Sequence, residues 1–162
     1  MRMFIGEYQP NITEGSRIAL PKKLRDQIRG EELILSRGFE RCIFIYDKED
    51  WVSEAQKQIE NPITDSKTRD IKRYMFAGAV ETAVDAQGRI VLPGALKVYA
   101  GIGKRTAVIG AYDHIEVWDL ENWNKHLKKI SADFSAWGYH MTRHKPVLLQ
   151  KTLESLDVKK GG

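Results

Sequence analysis

Cysteine is nearly absent from this sequence, and so is any long apolar run. The single cysteine, Cys42, excludes an internal disulfide and a zinc site built from several cysteines. No stretch approaches the roughly 18 consecutive apolar residues of a membrane-spanning helix, and residues 1–9 lack the apolar centre of a signal peptide. We therefore expect a soluble cytoplasmic protein in which Cys42 is a buried, unreactive thiol.

The motifs of catalysis and cofactor binding are missing as well. The four histidines form no HExxH pattern or similar pairing for a metal. The glycines of GIGK at residues 101–104 lack the spacing and the Ser or Thr of a phosphate-binding loop. No pair of carboxylates stands out from ordinary surface charge. We therefore predict that the chain is not an enzyme and uses no metal or cofactor.

A near-repeat of five residues is the first positive signal. The segment RIALP at residues 17–21 returns as RIVLP at residues 89–93, an offset of 72 positions. When residues 11–51 are aligned without a gap to residues 83–123, ten of the 41 positions are identical, including Trp51 with Trp123. Two copies at so long a period indicate a duplicated module rather than a solenoid.

Each copy is too short for an independent domain. About 40 residues rarely bury a sufficient core without a disulfide or a metal, whereas the whole chain of 162 residues, 42% hydrophobic, is long enough to do so. We therefore expect the two copies to complete one core, with Trp51 and Trp123 packed in it.

The same order of elements is predicted in both copies from apolar periodicity and turn residues. For the first copy we predict strands at 4–9 and 17–20, a short helix at 22–28, a hairpin of 32–36 and 42–46, and a helix at 51–59. For the second copy we predict strands at 80–84 and 89–92, a helix at 93–100, a hairpin of 106–110 and 115–118, and a helix reaching about residue 137.

Between the copies, residues 65–77 are predicted to form a helix with Ile71, Met75 and Tyr74 facing inward. The chain is accordingly divided into a first repeat with its helix at 3–60, a linking helix at 61–79, a second repeat with its helix at 80–127, and a C-terminal helix with a loosely ordered tail at 128–162.

Several of these segments together resemble a known family. They are MFIGEY at residues 3–8, the turn–strand units TEGSRIALP and DAQGRIVLP, and the hairpin–helix junctions IFIYDKEDW and IEVWDLENW. Over residues 3–127 the chain resembles the MraZ family of bacterial transcriptional regulators, of the AbrB-like swapped-hairpin superfamily. The resemblance implies an α+β fold of two AbrB-like β-barrel halves in tandem, with peripheral helices.

The resemblance also implies a function and partners. It implies sequence-specific binding of double-stranded DNA at promoter repeats of cell-division and cell-wall genes, including the chain's own operon. It further implies a nucleoid-associated, ring-shaped homo-oligomer. An antitoxin-like protein-interaction module is the alternative, although such a module usually has one unit followed by a disordered tail.

The family motif Asp-x-x-x-Arg occurs in both halves but is complete only in the second. There it runs from Asp85 to Arg89, whereas the first half has Thr13 in place of the aspartate and its glycine one position early, at Gly15. A threonine caps a turn more weakly than an aspartate does. We therefore expect the first turn to hold Arg17 less firmly.

Local charge supports DNA binding more than the net charge of +4 does. Residues 15–29 carry five basic side chains and one acidic side chain, a local balance of +4, and such a cluster can displace counterions from phosphates. The competing interpretations are an ordinary solvated face and, for Arg89, a structural pair with Asp85. The predicted DNA-binding residues are Ser16, Arg17, Lys22, Lys23, Arg25 and Arg89.

Overall fold

The computed structural model describes residues 3–60, 62 and 64–144. These residues contain eight strands and five α-helices. The strands are β1 Glu7–Tyr8, β2 Arg17–Ala19, β3 Leu33–Arg37, β4 Ile43–Asp47, β5 Val80–Thr82, β6 Arg89–Val91, β7 Thr106–Gly110 and β8 Ile115–Asp119. The helices are α1 Lys22–Arg25, α2 Lys48–Gln58, α3 Ser66–Ala77, α4 Gly94–Ala100 and α5 Leu120–His144.

The strands form two antiparallel groups. Six of them make a sheet in the order β1-β7-β8-β4-β3-β5, and β2 pairs with β6 in a separate ribbon. The offset of 72 residues places β4 on β8 and β2 on β6, so the duplication seen in the sequence is also a duplication of structure. The predicted α+β class and the predicted hairpins are confirmed.

Strands are exchanged between the two copies throughout the fold. β1 of the first copy pairs with β7 of the second, and β5 of the second copy pairs with β3 of the first. β4 and β8, one from each copy, pair at the centre of the sheet. Neither copy can therefore complete its strand pairing alone.

One apolar core is shared by both copies, as the length of each copy predicts. The ribbon contributes Ile18 and Ile90, and the sheet contributes alternate residues such as Ile43 and Val117. All four side chains are at most 1% exposed, and each buried Ile or Leu contributes about 1.5–3 kcal/mol. Trp51 packs in a second cluster with Ile34 and Tyr46; Trp123 is buried.

The predicted β-barrel halves are not confirmed, since the described strands form no closed barrel. The sheet is open, with two short strands, β1 and β5, at its edges. The ribbon of β2 and β6 is only three residues long on each side and pairs with neither edge of the sheet. The ribbon covers the core through its apolar side chains, and no hydrogen-bond ladder between ribbon and sheet closes a barrel.

The linking helix α3 begins as expected but packs only in part as predicted. Asp65 caps it by accepting hydrogen bonds from the Lys67 backbone N–H at 3.2 Å and the Thr68 hydroxyl at 3.0 Å. Thr68 is its buried residue, whereas Ile71 and Tyr74 are exposed. The predicted inward orientation is wrong for Ile71 and confirmed for Met75, which packs against the cluster of Ile34, Tyr46 and Trp51. Tyr74 is partly exposed but faces the body of the fold, where its hydroxyl bonds to the Tyr99 hydroxyl at 2.7 Å.

Other helix boundaries also differ from the predictions. α2 spans Lys48–Gln58 and so begins three residues before the predicted 51–59. α1 ends at Arg25 and not at residue 28, because the chain continues with three-residue turns in which the N–H groups of Gln27 and Ile28 donate to the carbonyls of Leu24 and Arg25. α5 continues beyond 137 to His144.

The described residues fall into two compact units, one that ends at Glu121 and one that begins at Asn122. The second consists, over its described part, of helix α5 from residue 122 onward. The loosely ordered tail predicted at the end of the chain lies outside the described residues. The division at 3–60, 61–79, 80–127 and 128–162 stays a prediction.

Candidate nucleic-acid interface

Two turns, one in each copy, lead into the ribbon of β2 and β6. Ile18 lies opposite Ile90 at the centre of the ribbon, with Arg17 and Arg89 one position before each of them. Because alternate residues of a strand point to opposite faces and the two isoleucines are buried, the two arginines lie on the outward face. We call residues 13–17 the first turn unit and residues 85–89 the second turn unit.

The second turn unit is held by its aspartate. Asp85 Oδ1 accepts hydrogen bonds from the backbone N–H groups of Gln87 at 2.8 Å and Arg89 at 2.9 Å. Asp85 Oδ2 accepts a hydrogen bond from Arg89 Nε at 3.1 Å. The bond from the Arg89 backbone N–H, followed by that from Gln87, lowers the pKa of Asp85. The carboxylate therefore fixes both the backbone of the turn and the arginine side chain.

The first turn unit has weaker local contacts. The Thr13 backbone N–H donates to the Arg17 carbonyl at 2.8 Å, and the Thr13 hydroxyl donates to the same oxygen at 3.2 Å. The Arg17 guanidinium donates through Nη1 to the Glu14 carbonyl at 3.3 Å. Among the described residues, no carboxylate lies within ion-pair distance of Arg17. Most of its planar donor group is therefore available for another partner.

Each turn unit is met by a basic side chain from the other copy. Arg25, at the end of α1, lies over the second turn unit, where a Cβ added to Gly88 would be 2.8 Å from its guanidinium carbon. Lys97, on α4, lies at the first turn unit and donates from Nζ to Ser16 Oγ at 2.6 Å. Arg25 Nε also donates to the Leu20 carbonyl at 2.8 Å. The two contacts are related by the approximate twofold symmetry of the duplicated fold.

The predicted DNA-binding residues divide into two sets. The structure places Ser16, Arg17, Arg25 and Arg89 at the turn units. Lys22 and Lys23 are exposed on α1, and Lys22 pairs with Asp26 at 2.8 Å. An exposed pair of this kind contributes little stability, so Lys22 can exchange its partner for a phosphate at small cost.

Lys97 is not among the predicted DNA-binding residues, although the internal repeat identifies it. The offset of 72 residues that defines the repeat aligns Lys97 with Arg25, so a site containing one of them predicts the other. Its contact with Ser16 joins residues 81 positions apart. Local sequence patterns carry no information on such a contact.

Other kinds of site find no support in the described part of the chain. No group of three or more His, Cys, Asp or Glu residues there is placed to hold a metal ion. Cys42 is buried, and its burial, followed by the charge of Glu116, raises the pKa of its thiol, in agreement with an unreactive residue. None of the described helices combines the length and apolar character needed to cross a membrane.

The described architecture defines a class of protein in which two tandem copies of one module share a core and present paired basic turns. Comparison with known proteins identifies the family. The family described as "MraZ protein, putative antitoxin-like" matches the chain twice, over residues 3–74 and 75–142. The chain belongs to the MraZ family.

Relatives from several bacteria match over most of their length. A protein of Arthrobacter sp. named "Transcriptional regulator MraZ" is 39% identical over 133 residues, which cover 82% of this chain and 93% of the relative. One of the same name from Acetivibrio thermocellus is 40% identical over 124 residues, covering 76% and 86%. A solution structure of a Pyrococcus horikoshii protein aligns over 72% of this chain and 89% of that one, at 16% identity and a TM-score of 0.29, too low a likeness to bear on function.

Proposed function

We propose that this chain is a sequence-specific DNA-binding transcriptional regulator that acts through its two turn units. The observation that carries the proposal is the outward ribbon face, where Arg17 keeps its donor group free of any described carboxylate. An arginine can donate two hydrogen bonds to the O6 and N7 atoms of guanine. The name "Transcriptional regulator MraZ" of the relatives agrees with this use.

The basic residues around the turn units have a second role in this proposal. Lys22, Lys23 and Arg25 contact phosphates, which fixes the position of the protein on DNA without reading sequence. Arg89 is shared with Asp85, so it serves first to hold the second turn unit. Such a division assigns base reading to Arg17 and backbone contact to the neighbouring cations.

The finer architecture in the proposal is that of the AbrB-like swapped hairpin. The exchange of β1 and β5 between the copies, together with the pairing of β2 with β6, supports it. In this arrangement each half of the DNA-binding surface is built from both repeats of one chain.

Membership of the family supports the remaining parts of the proposal. The regulator binds promoter repeats of cell-division and cell-wall genes, including its own operon, and acts in the cytoplasm in association with the nucleoid. It assembles into a ring-shaped homo-oligomer, and the several copies of one basic face then bind together, so that weak single contacts add up. No catalytic step is part of this function.

Footprinting on the DNA upstream of the chain's own gene tests the proposal. We expect protection of a short repeated element at protein concentrations that leave a scrambled duplex unprotected. The antitoxin-like alternative predicts a different result, namely a stable complex with a second protein after gentle purification and no preference between the two DNAs. That result would replace the regulator with an interaction module.

A further inference from the structure

The first turn unit differs from the second at four of its five positions, and two of these differences concern side chains that hold the turn. Thr13 stands where the second has Asp85, and Ser16 stands where the second has Gly88. Ser16 has a φ of 57° and Gly88 a φ of 79°, so both lie in the left-handed region that favours glycine. A serine in this conformation is strained. A hydrogen bond accepted by its hydroxyl offsets that strain.

The partner of that hydroxyl comes from the other copy. Lys97 Nζ donates to Ser16 Oγ at 2.6 Å, a short charge-assisted hydrogen bond. The second turn unit differs here, because a Cβ at Gly88 would lie 2.8 Å from the guanidinium carbon of Arg25, and that side chain would have to move. Ser16 is therefore paired with Lys97 at the first turn unit, and Gly88 lies beside Arg25 at the second.

We propose that Ser16 is a positioning residue, whose bond to Lys97 replaces the carboxylate that the first turn unit lacks. Asp85 holds the second turn unit from within, through bonds to Gln87 and Arg89. The hydroxyl and ammonium groups hold the first turn unit from across the duplicated fold. Arg17 follows directly after Ser16, so the pair fixes the strand entry from which Arg17 reaches DNA.

This inference rests on the proposed DNA-binding function and adds a dependence between the repeats. The second turn unit is held rigid by Asp85 of its own copy, whereas the first turn unit is held by Lys97 on α4 of the other copy. Lys97 then has two roles, since its remaining N–H groups lie at the first turn unit, where a phosphate can accept from them.

The test uses the full chain and two fluorescein-labelled duplexes, one from the region upstream of its own gene and one scrambled. Ser16→Gly relieves the left-handed strain but also removes the bond to Lys97, so the two effects on stability oppose each other and we expect little change in Tm. Without the bond to Lys97 the turn that carries Arg17 has to be ordered when DNA binds, so we expect about tenfold weaker binding of the upstream duplex and less change on the scrambled duplex. A purely structural residue would lower affinity only together with Tm.

Two further variants show whether the effect passes through the named partners. In a Lys97→Met background, Ser16→Gly should have little additional effect on binding, because coupled residues are not additive. In a Thr13→Asp background, the restored carboxylate should return the affinity of Ser16→Gly for the upstream duplex to near that of the parent. Lys57→Met, which removes a lysine on α2 paired with Glu54, is the control for loss of one positive charge.

The outcomes separate the two proposals. The role proposed for Ser16 is contradicted if the parent prefers the upstream duplex and Ser16→Gly binds that duplex as tightly as the parent does. It is also contradicted if Ser16→Gly has its full effect on binding in the Lys97→Met background. Neither result contradicts the proposed regulatory function. If the parent binds both duplexes equally, the proposed function itself fails. Ser16→Ala, which removes the hydroxyl and keeps the Cβ, repeats the measurement without the added freedom of a glycine.

Discussion

At the scale of single residues, the two arginines of the repeated motif have unequal surroundings. Arg89 donates through Nε to a carboxylate of its own turn unit at 3.1 Å. The Arg17 guanidinium donates to a neutral carbonyl, that of Glu14, at 3.3 Å, and pairs with no carboxylate among the described residues. A bond to a neutral acceptor is weaker than one to a charged acceptor, so Arg17 gives up less when it turns to a base edge.

Replacing Arg17 by lysine keeps the charge and removes the planar pair of donors. We expect Arg17→Lys to weaken binding of the upstream duplex by about 1–3 kcal/mol per site and to leave most binding of scrambled DNA unchanged. Fluorescence anisotropy on both duplexes measures the two affinities. Arg73→Lys, which conserves the charge of an exposed arginine paired with Asp70 on α3, is the matched control. Binding of the upstream duplex at parental strength would show that Arg17 is not the base reader.

Asp85 is expected to act on stability. Asp85→Ala removes the acceptor of three hydrogen bonds, so we expect a lower Tm with DNA binding largely retained. The folded protein lowers the pKa of this carboxyl below 3.8. Its contribution is therefore present above pH 3.8 and is lost as the pH falls through the folded pKa. The Tm difference between parent and variant should shrink over that acidic range.

The matched comparison for Asp85→Ala is Thr13→Asp. This change supplies the missing carboxylate to the first turn unit and should leave DNA binding intact or improve it modestly. A folded Asp85→Ala protein that no longer bound the upstream duplex would mean that the second turn unit reads DNA as well.

At the scale of elements, local sequence patterns predicted the hairpins and helix starts that short-range interactions determine. The hairpin of β7 and β8 follows from two short apolar runs with a turn between them, and the start of α3 follows from the cap at Asp65. The exchange of β1 and β5 between the copies does not follow, because pairing partners far apart in sequence leave no local pattern. The same limit hid Lys97, whose contact with Ser16 crosses the duplicated fold.

The site was predictable to a similar extent. The repeated motif identified Arg17 and Arg89, and the charge density identified the basic segment that includes α1. The alignment of Thr13 with Asp85 was enough to predict that Arg89, and not Arg17, has a carboxylate partner in its own turn unit. Which face of α3 packs depends on the surface beneath the helix. Periodicity alone therefore predicted the packing of Met75 correctly and that of the exposed Ile71 wrongly.

Helix α1 supplies charge without sequence reading. Lys22 and Lys23 are exposed on it, and the Lys22 pair with Asp26 is solvent-accessible on both sides. We expect the double change Lys22→Ala, Lys23→Ala to weaken binding to upstream and scrambled duplexes alike. The slope of log affinity against log salt should flatten by about 0.9 for each phosphate that the variant no longer neutralises. Weaker binding of the upstream duplex alone would assign base reading to this helix.

At the scale of the whole molecule, the net charge of +4 is a poor guide to DNA binding. The 26 basic residues are nearly balanced by 22 acidic ones, so the average surface attracts a polyanion only weakly. The duplication changes this by bringing cations of both copies to one ribbon, where Arg25 and Lys97 each cross to the turn unit of the other copy.

Salt dependence follows from this local concentration of charge. Each phosphate neutralised by the protein releases counterions, which lowers log affinity by about 0.9 per unit of log salt. If the turn units and α1 bind phosphates as proposed, the affinity for the upstream duplex should fall steeply between dilute and physiological salt. In an oligomer the slope should grow with the number of subunits on the DNA, because each subunit neutralises phosphates of its own. Anisotropy titrations over a salt series, with the oligomeric state followed by light scattering, measure both quantities. A flat response from a protein that remains assembled would remove the electrostatic basis of the proposed interface.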